Sequence, residues 1–391
     1  MAKKSAASRA GVEALISKAS DAVRRRFKTG YSMSAEQALE TPSVFASTGS
    51  LALDRICSGS NPGGVPIGPT QGRVVHIAGE FSTGKSLILD HMFKSVQDMG
   101  GLCLCSETEG SRDTHFARAI GLDLTKLEIQ RPATIEELVD MGLAWHDEIR
   151  SVAAGREIPI LWGLDSIDST EAGKSADKGM TESGGWHFGG GRSEALGAGL
   201  RKIVNRTARF PTTLVMLNQT RDNVGVMFGP KKRTPGGAAP HFYASLEVML
   251  SPSPLGLTRA PSMMHDIPAA TLKRLGLQYA KDTGAVLGRW VHAKVTKTKL
   301  APTLQAGTDF FIDFRRGCSP WAGMLQRLLI EGTVELTPDQ RGARHRTVAG
   351  EVAEFATTQE WLDWLSKNPK ELGKRPEKNP AEKHSAVEAT T

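Results

Sequence analysis

Gly79-Glu80-Phe81-Ser82-Thr83-Gly84-Lys85-Ser86 spells G-x-x-x-x-G-K-[ST], the glycine-rich turn that cradles a phosphate chain. The chemistry explains the spelling. Glycines let backbone N–H groups face phosphate oxygens, and a helix that starts where the turn ends adds its positive terminus. Lys85 is placed to reach the β- and γ-phosphates, and Ser86 to offer a hydroxyl to Mg2+. The flanks have the required form. Arg73 to Ala78 reads as a short apolar strand, Lys85 to about Met99 as a helix, and Leu102 to Ser106 as a second strand. The two strands lie about thirty residues apart, the spacing of a βαβ unit with parallel strands.

Further strands are expected at 126–129, 158–165, 212–218 and 245–250, with helices near 113–120, 134–154 and 193–209. Such alternation predicts an α/β core, a mostly parallel central sheet with helices on both faces. Ile158 to Leu164 is nearly all apolar, as a strand buried on both sides requires. It ends in Asp165, at the edge where open α/β sheets bind ligands. Asp165 is therefore the second candidate for Mg2+. Hydrolysis also needs a group to orient water, and Glu107 and Glu109 both follow the second strand. Spacing alone does not choose between them.

The 391 residues suggest two or three domains, and 39% hydrophobic residues with 41 glycines exclude global disorder or a collagen-like chain. No run approaches the length of a membrane span, and Lys3 and Lys4 lack the apolar run of a secretory leader. Cys57, Cys103, Cys105 and Cys318 lack zinc-ligand spacing, so they read as reduced thiols of a cytosolic protein. Residues 1–28 hold eight cations against Glu13 and Asp21, which accounts for six of the seven net positive charges. The remaining body is nearly neutral. A nucleic-acid site there must come from local clusters rather than bulk charge.

Residues 1–44 form a basic segment whose Val12, Leu15, Ile16, Ala19, Val23 and Phe27 predict an amphipathic helix over 11–27. It has a stripe to bury, on another subunit for instance. The core spans 45–316. Two long glycine-rich stretches, about 173–192 and 222–240, interrupt it, and loops of that length are usually functional or disordered. A small α-rich domain is expected over 317–366 and a disordered Lys-, Glu- and Pro-rich tail over 367–391.

Taken together, the motifs resemble the bacterial and phage RecA recombinases. The resemblance is carried by Ser47-Thr48-Gly49-Ser50-Leu51-Ala52-Leu53-Asp54, the phosphate loop, Leu102–Asp123, Asp165-Ser166 and Leu217-Asn218-Gln219. It continues through Gly225-Val226-Met227-Phe228-Gly229, Phe242-Tyr243-Ala244-Ser245 and Lys294–Pro302, in family order over about residues 20–365. It implies a RecA-like ATPase core and a DNA-dependent ATP hydrolase. Such an enzyme forms helical filaments on single-stranded DNA and pairs it with a homologous duplex in DNA repair and the SOS response. The implied cofactors are ATP and Mg2+. The implied partners are both forms of DNA, further copies of the chain and accessory single-strand-binding or loading proteins, in the bacterial nucleoid or a phage host's cytoplasm.

The resemblance also assigns residues. It selects Glu109 to position the attacking water. It places Asp113 on the adenine amino group, Phe116 on the adenine ring, and Gln219 as sensor of the γ-phosphate. Lys297 and Lys299 would reach the neighbouring subunit's ATP, and their i, i+2 spacing on a strand puts both on one face. The two glycine-rich stretches align with DNA-binding loops. Lys231, Lys232 and Arg233 would neutralise phosphates there, and Val224, Val226, Met227 and Phe228 would insert between bases. Arg201 aligns with a DNA-contacting arginine, and Arg192 is a looser candidate. Trp162-Gly163 before Asp165, the longer 251–288 segment and the basic tail depart from the usual pattern. The rivals are a ring helicase on the same core and an ATP-gated architectural protein.

Overall fold

The structure is a computed structural model. It describes residues 9–26, 44–58, 64–67, 74–110, 112, 114–173, 190–208, 210–223, 232–257, 288–299, 306–324, 328, 334–336, 343–347 and 351–368. The chain divides into two units, residues 1–42 and 43–391. In the first, α1 (Arg9–Arg26) takes up the expected amphipathic segment and leaves Leu15, Ile16 and Val23 exposed.

The second unit opens with β1 (Val44–Ala46), α2 (Leu51–Ser58) and β2 (Val65–Ile67), where β1 and β2 form a small antiparallel pair. The phosphate-loop strand β3 (Val74–Gly79) leads to α3 (Lys85–Asp98), β4 (Leu102–Glu107), α4 (Thr114–Ala119) and β5 (Leu127–Gln130). Next come α5 (Ile135–Ser151), β6 (Ile160–Asp165), α6 (Gly190–Thr207) and β7 (Thr212–Gln219). A two-residue ladder, β8 (Arg221–Asp222) against β9 (Lys232–Arg233), brackets the first half of the second glycine-rich stretch. Then follow α7 (Ala239–Tyr243), β10 (Leu246–Leu257), β11 (Gly288–Thr298), β12 (Gly307–Asp313) and β13 (Gly317–Cys318).

One nine-stranded sheet runs in the order β13-β12-β11-β10-β3-β7-β6-β4-β5. From β10 to β5 all neighbours are parallel, and β11 to β13 extend the sheet antiparallel. Each central strand sends alternate residues to opposite faces, as the pleat dictates. Val75 and Ile77, Cys103 and Cys105, Leu161, and Val215 and Leu217 pack with α3. Val74, Leu104, Trp162, Leu164, Leu214 and Met216 pack with α5 and α6 on the other face. All four cysteines are free and buried. Among the described residues no helix is long and apolar enough to cross a membrane.

The unusual Trp162-Gly163 pair has a packing explanation. Trp162 is buried, donates from Nε1 to Ser106 Oγ at 3.0 Å, and lies over Gly142 of α5, where a Cβ would come within 1.8 Å of its ring. On the opposite face, a Cβ at Gly163 would meet Leu89 and Phe93 at 2.7–2.9 Å. A large residue on one side and none on the other let the strand fit between its two helical layers.

The segment after 317 corrects the sequence reading. Its described residues are mixed rather than α-rich: β14 (Val334–Leu336), β15 (Ala343–Arg346) and β16 (Val352–Phe355) form an antiparallel sheet, joined by α8 (Thr358–Lys367). Their small core centres on Met324, Leu328, Val334, Trp361 and Leu365 and includes Ala52 of α2. Strands of three and four residues are too short to register as a period. The tail beyond 368 lies outside the described residues.

Candidate active site

Four adjacent parallel strands, β3, β7, β6 and β4, each deliver one candidate residue at the same edge. Gly79 ends β3 and pairs in register with Gln219 at the end of β7, while Asp165 at the end of β6 pairs with Glu107 at the end of β4. Glu109 stands two residues beyond. Register therefore does what sequence cannot: it makes neighbours of groups up to 140 positions apart.

The phosphate loop is held by fit and by its own hydrogen bonds. A Cβ at Gly79 would press within 2.7 Å of Leu250. Gly84 has φ +80°, and a Cβ there would lie 2.3 Å from Ile312 Cδ1. Only glycine serves at Gly84. Thr83 Oγ1 donates to the Glu80 carbonyl at 2.8 Å, and Lys85 Nζ donates to the carbonyls of Gly79 and Glu80 at 3.1 and 2.9 Å. Burial lowers the proton affinity of Lys85, and the carboxylates of Asp165, Asp168 and Glu109 oppose that loss. No side chain caps the start of α3 at Gly84, so the N–H groups of its first turn stay available to an anion.

Ser86 and Asp165 meet. Burial raises the Asp165 carboxyl above its ordinary range, while a hydrogen bond from Ser86 and the nearby Arg112 guanidinium, 3.9 Å away, pull it back. A hydroxyl and a carboxylate side by side suit a hard cation that keeps several of its waters. These residues therefore fit Mg2+, and the open helix end with Lys85 fits the phosphates of ATP.

The structure separates the two glutamates. Glu107 is buried, accepts the Arg112 backbone N–H at 2.9 Å and pairs with Arg131 at 3.3 Å. Glu109 is exposed on the site side, and its Oε1 accepts from Ser166 Oγ at 2.7 Å and from Gln219 Nε2 at 3.4 Å. The group that could polarise water and the group that could sense phosphate thus share one oxygen.

Several site residues escaped the sequence reading. The Arg112 side chain is buried, pairs with Asp90, donates to Cys105 Sγ at 3.1 Å and lies over the Phe93 ring at 5.7 Å. It braces the loop that carries Glu109. Arg289 Nη1 donates to the Ser82 carbonyl at 2.5 Å. Lys232, already a candidate from the sequence, pairs with Glu80 inside the phosphate loop. Arg112 lies within the Leu102–Asp123 run, but its partner Asp90 is 22 positions away.

Phe116 is half-buried and packs against the core beside α3. Asp113, Val224, Val226, Met227, Phe228 and Lys231 lie outside the described residues. Arg192 is half-buried and donates to the Ile167 carbonyl at 2.7 Å. Arg201 and Arg233 are exposed, the former 3.4 Å from the Tyr243 hydroxyl. Lys297 Nζ donates to the carbonyls of His241 and Phe242, and the Lys299 N–H to that of Ser245 at 2.8 Å.

With this geometry in place, the family model for the RecA N-terminal domain matches residues 14–253. The chain belongs to the RecA family. It is 29% identical over 313 residues to Protein RecA of Rubrobacter xylanophilus, covering 80% of this chain and 78% of that one. It is 31% identical over 314 residues to Protein RecA of Acidiphilium cryptum, covering 80% and 79%. With Protein RecA of Lactobacillus delbrueckii subsp. bulgaricus the identity is 30% over 294 residues, 75% of each. RecA membership makes the chain a DNA-dependent ATP hydrolase that uses Mg2+. It is a recombinase that assembles filaments on single-stranded DNA and exchanges strands with a duplex.

Proposed function

We propose the following division of labour within that activity. Lys85 and the N–H groups of the phosphate loop hold the ATP phosphates, and Ser86 and Asp165 hold Mg2+, which draws charge from the transferring phosphoryl group. Glu109 orients the attacking water. Gln219 reports on the γ-phosphate through its amide and carries that report into the second loop. Asp113 and Phe116 receive the adenine. Lys297 and Lys299 act in trans at the neighbouring protomer's nucleotide, where they stabilise transition-state charge. Lys231, Lys232, Arg233, Arg192 and Arg201 take DNA phosphates, and Val224, Met227 and Phe228 enter between bases. The exposed apolar residues of α1 dock on an adjacent protomer. Single-strand-binding or loading proteins are the expected accessory partners, and the workplace is the nucleoid or, for a phage-encoded protein, the host cytoplasm.

The observation that carries this reading is the meeting of Ser166, Glu109 and Gln219 on one carboxylate oxygen. Glu109→Gln keeps shape and removes the charge that aligns water. ATP binding should persist, DNA-stimulated turnover should fall by about a hundredfold or more, and filaments should outlive those of the wild type under electron microscopy. Turnover at the wild-type rate would remove Glu109 from its role.

A further inference from the structure

Glu247 of β10 gathers polar groups from three other elements. Its Oε2 accepts from His76 Nδ1 of β3 at 3.2 Å and from His241 Nδ1 of α7 at 2.5 Å, and its Oε1 accepts from Thr296 Oγ1 of β11 at 2.6 Å. Asn218 of β7, next to Gln219, donates from Nδ2 to His76 Nε2 at 3.3 Å and to the Pro235 carbonyl at 2.9 Å. Thr234 Oγ1 lies 2.7 Å from His241 Nε2. Thr234 and Pro235 lie in the later part of the second glycine-rich stretch, directly after β9. The last carbonyls of α7 hold the Lys297 ammonium.

His76, His241 and Glu247 each bring a ligand atom within 4.8 Å of the others, which raises a metal site as one meaning. Asn218 decides against it. Its Nδ2 can only donate, and the Pro235 carbonyl identifies that atom as the nitrogen. His76 Nε2 is therefore the acceptor, its Nδ1 carries the proton toward Glu247, and His76 turns no lone pair toward a cation shared with Glu247 and His241. Buried polar groups that satisfy one another in this way fix relative position. Burial opposes ionisation of Glu247, but the hydrogen bonds from His241, His76 and Thr296 prevail and hold its carboxyl well below the usual range.

We propose that Glu247 is a positioning residue that makes the later part of the second loop, α7 and Lys297 move as one with the strand carrying Gln219. This rests on the roles given above to the second loop and Lys297. The clasp is 171 residues wide in sequence, from His76 to Glu247, and touches neither the phosphate loop nor Glu109 through any hydrogen bond of Glu247, His76 or His241 given above. It therefore serves coupling rather than nucleotide binding.

The test uses full-length protein. Glu247→Gln keeps the shape but loses the charge. ATP turnover with and without single-stranded DNA, affinity for a labelled oligonucleotide and affinity for a non-hydrolysable ATP analogue are measured together. Stimulation by DNA should fall about tenfold and oligonucleotide Kd should rise about tenfold. The analogue Kd without DNA should stay within about twofold. Thr234→Val removes only the hydroxyl at His241, spares the buried sheet, and should lose about threefold in the same two readouts, with Thr234→Ser restoring them. Stimulation and DNA affinity at wild-type levels in either folded valine or glutamine variant would overturn the clasp. A wild-type enzyme without DNA stimulation would instead overturn the reading of the loops.

Discussion

The carboxyl edge of the parallel strands and the antiparallel extension both hold lysines against backbone carbonyls, but their surroundings are opposite. Lys85 sits within the fields of Asp165, Asp168 and Glu109. Lys297 has Lys299 as a like-charged neighbour; burial first, and then Lys299, lowers its proton affinity against Glu247 alone. One edge surrounds its lysine with acids, while the other sets a second cation beside it. That surplus is what the trans role proposed for Lys297 and Lys299 requires, a charge left for a phosphate on another copy.

A mixing experiment breaks that comparison most sharply. Lys85→Ala should lose ATP binding, and Lys297→Ala/Lys299→Ala should lose turnover by about a hundredfold or more while still binding ATP. Neither should work alone. Mixed in equal amounts on single-stranded DNA, the two should recover about a quarter of wild-type turnover, the chance that an intact phosphate loop faces intact lysines. No recovery would place the lysines in cis.

How much of this could be read in the sequence depends on the range of the interaction. The phosphate loop is local, because its glycines, lysine and serine lie within eight positions, and it emerges where expected. Asp165 and the parallel strands follow from apolar runs of six to eight residues. Glu107 and Glu109 were inseparable by spacing, since their difference is set by Arg112, Arg131, Ser166 and Gln219. The Glu247 clasp was invisible for the same reason. β14 to β16 were missed because strands of three or four residues carry too little pattern.

A second prediction tests the packing that lets Asp165 reach the edge. Gly142→Ala puts a methyl into the Trp162 ring, and its strain should exceed the gain in helix propensity, for a net loss of about 2 kcal/mol in chemical denaturation. Gly142→Ala/Trp162→Leu should recover much of that loss. An additive double variant would mean that the ring and the glycine do not share one space.

The smallest effect concerns acid. His146 is buried, and its Nε2 takes Arg150 Nε at 3.4 Å and lies 3.1 Å from Thr212 Oγ1, so that nitrogen must keep its lone pair. Burial first, then Arg150, lowers its pKa to about 4. The unfolded chain therefore takes up the proton first, near pH 6.5. The stability supplied by the neutral ring is complete above that pH and is lost as pH falls toward 4. Between pH 7 and 5 the loss should be about 1–2 kcal/mol for this histidine. His146→Gln, although less stable at pH 7, should show a correspondingly flatter dependence in denaturant titrations at the two pH values. An unchanged slope would mean that the ring takes up its proton at the same pH in the folded and the unfolded chain, with Arg150 turned away from it. His241 runs the other way. Its hydrogen bond to Glu247 raises its pKa, so its contribution is present below the unfolded value and fades as pH rises through the folded one. His76 of the same clasp has its pKa lowered by burial, so acid acts on the two histidines of the clasp in opposite directions: it favours the charged His241 and works against the neutral His76 that accepts from Asn218.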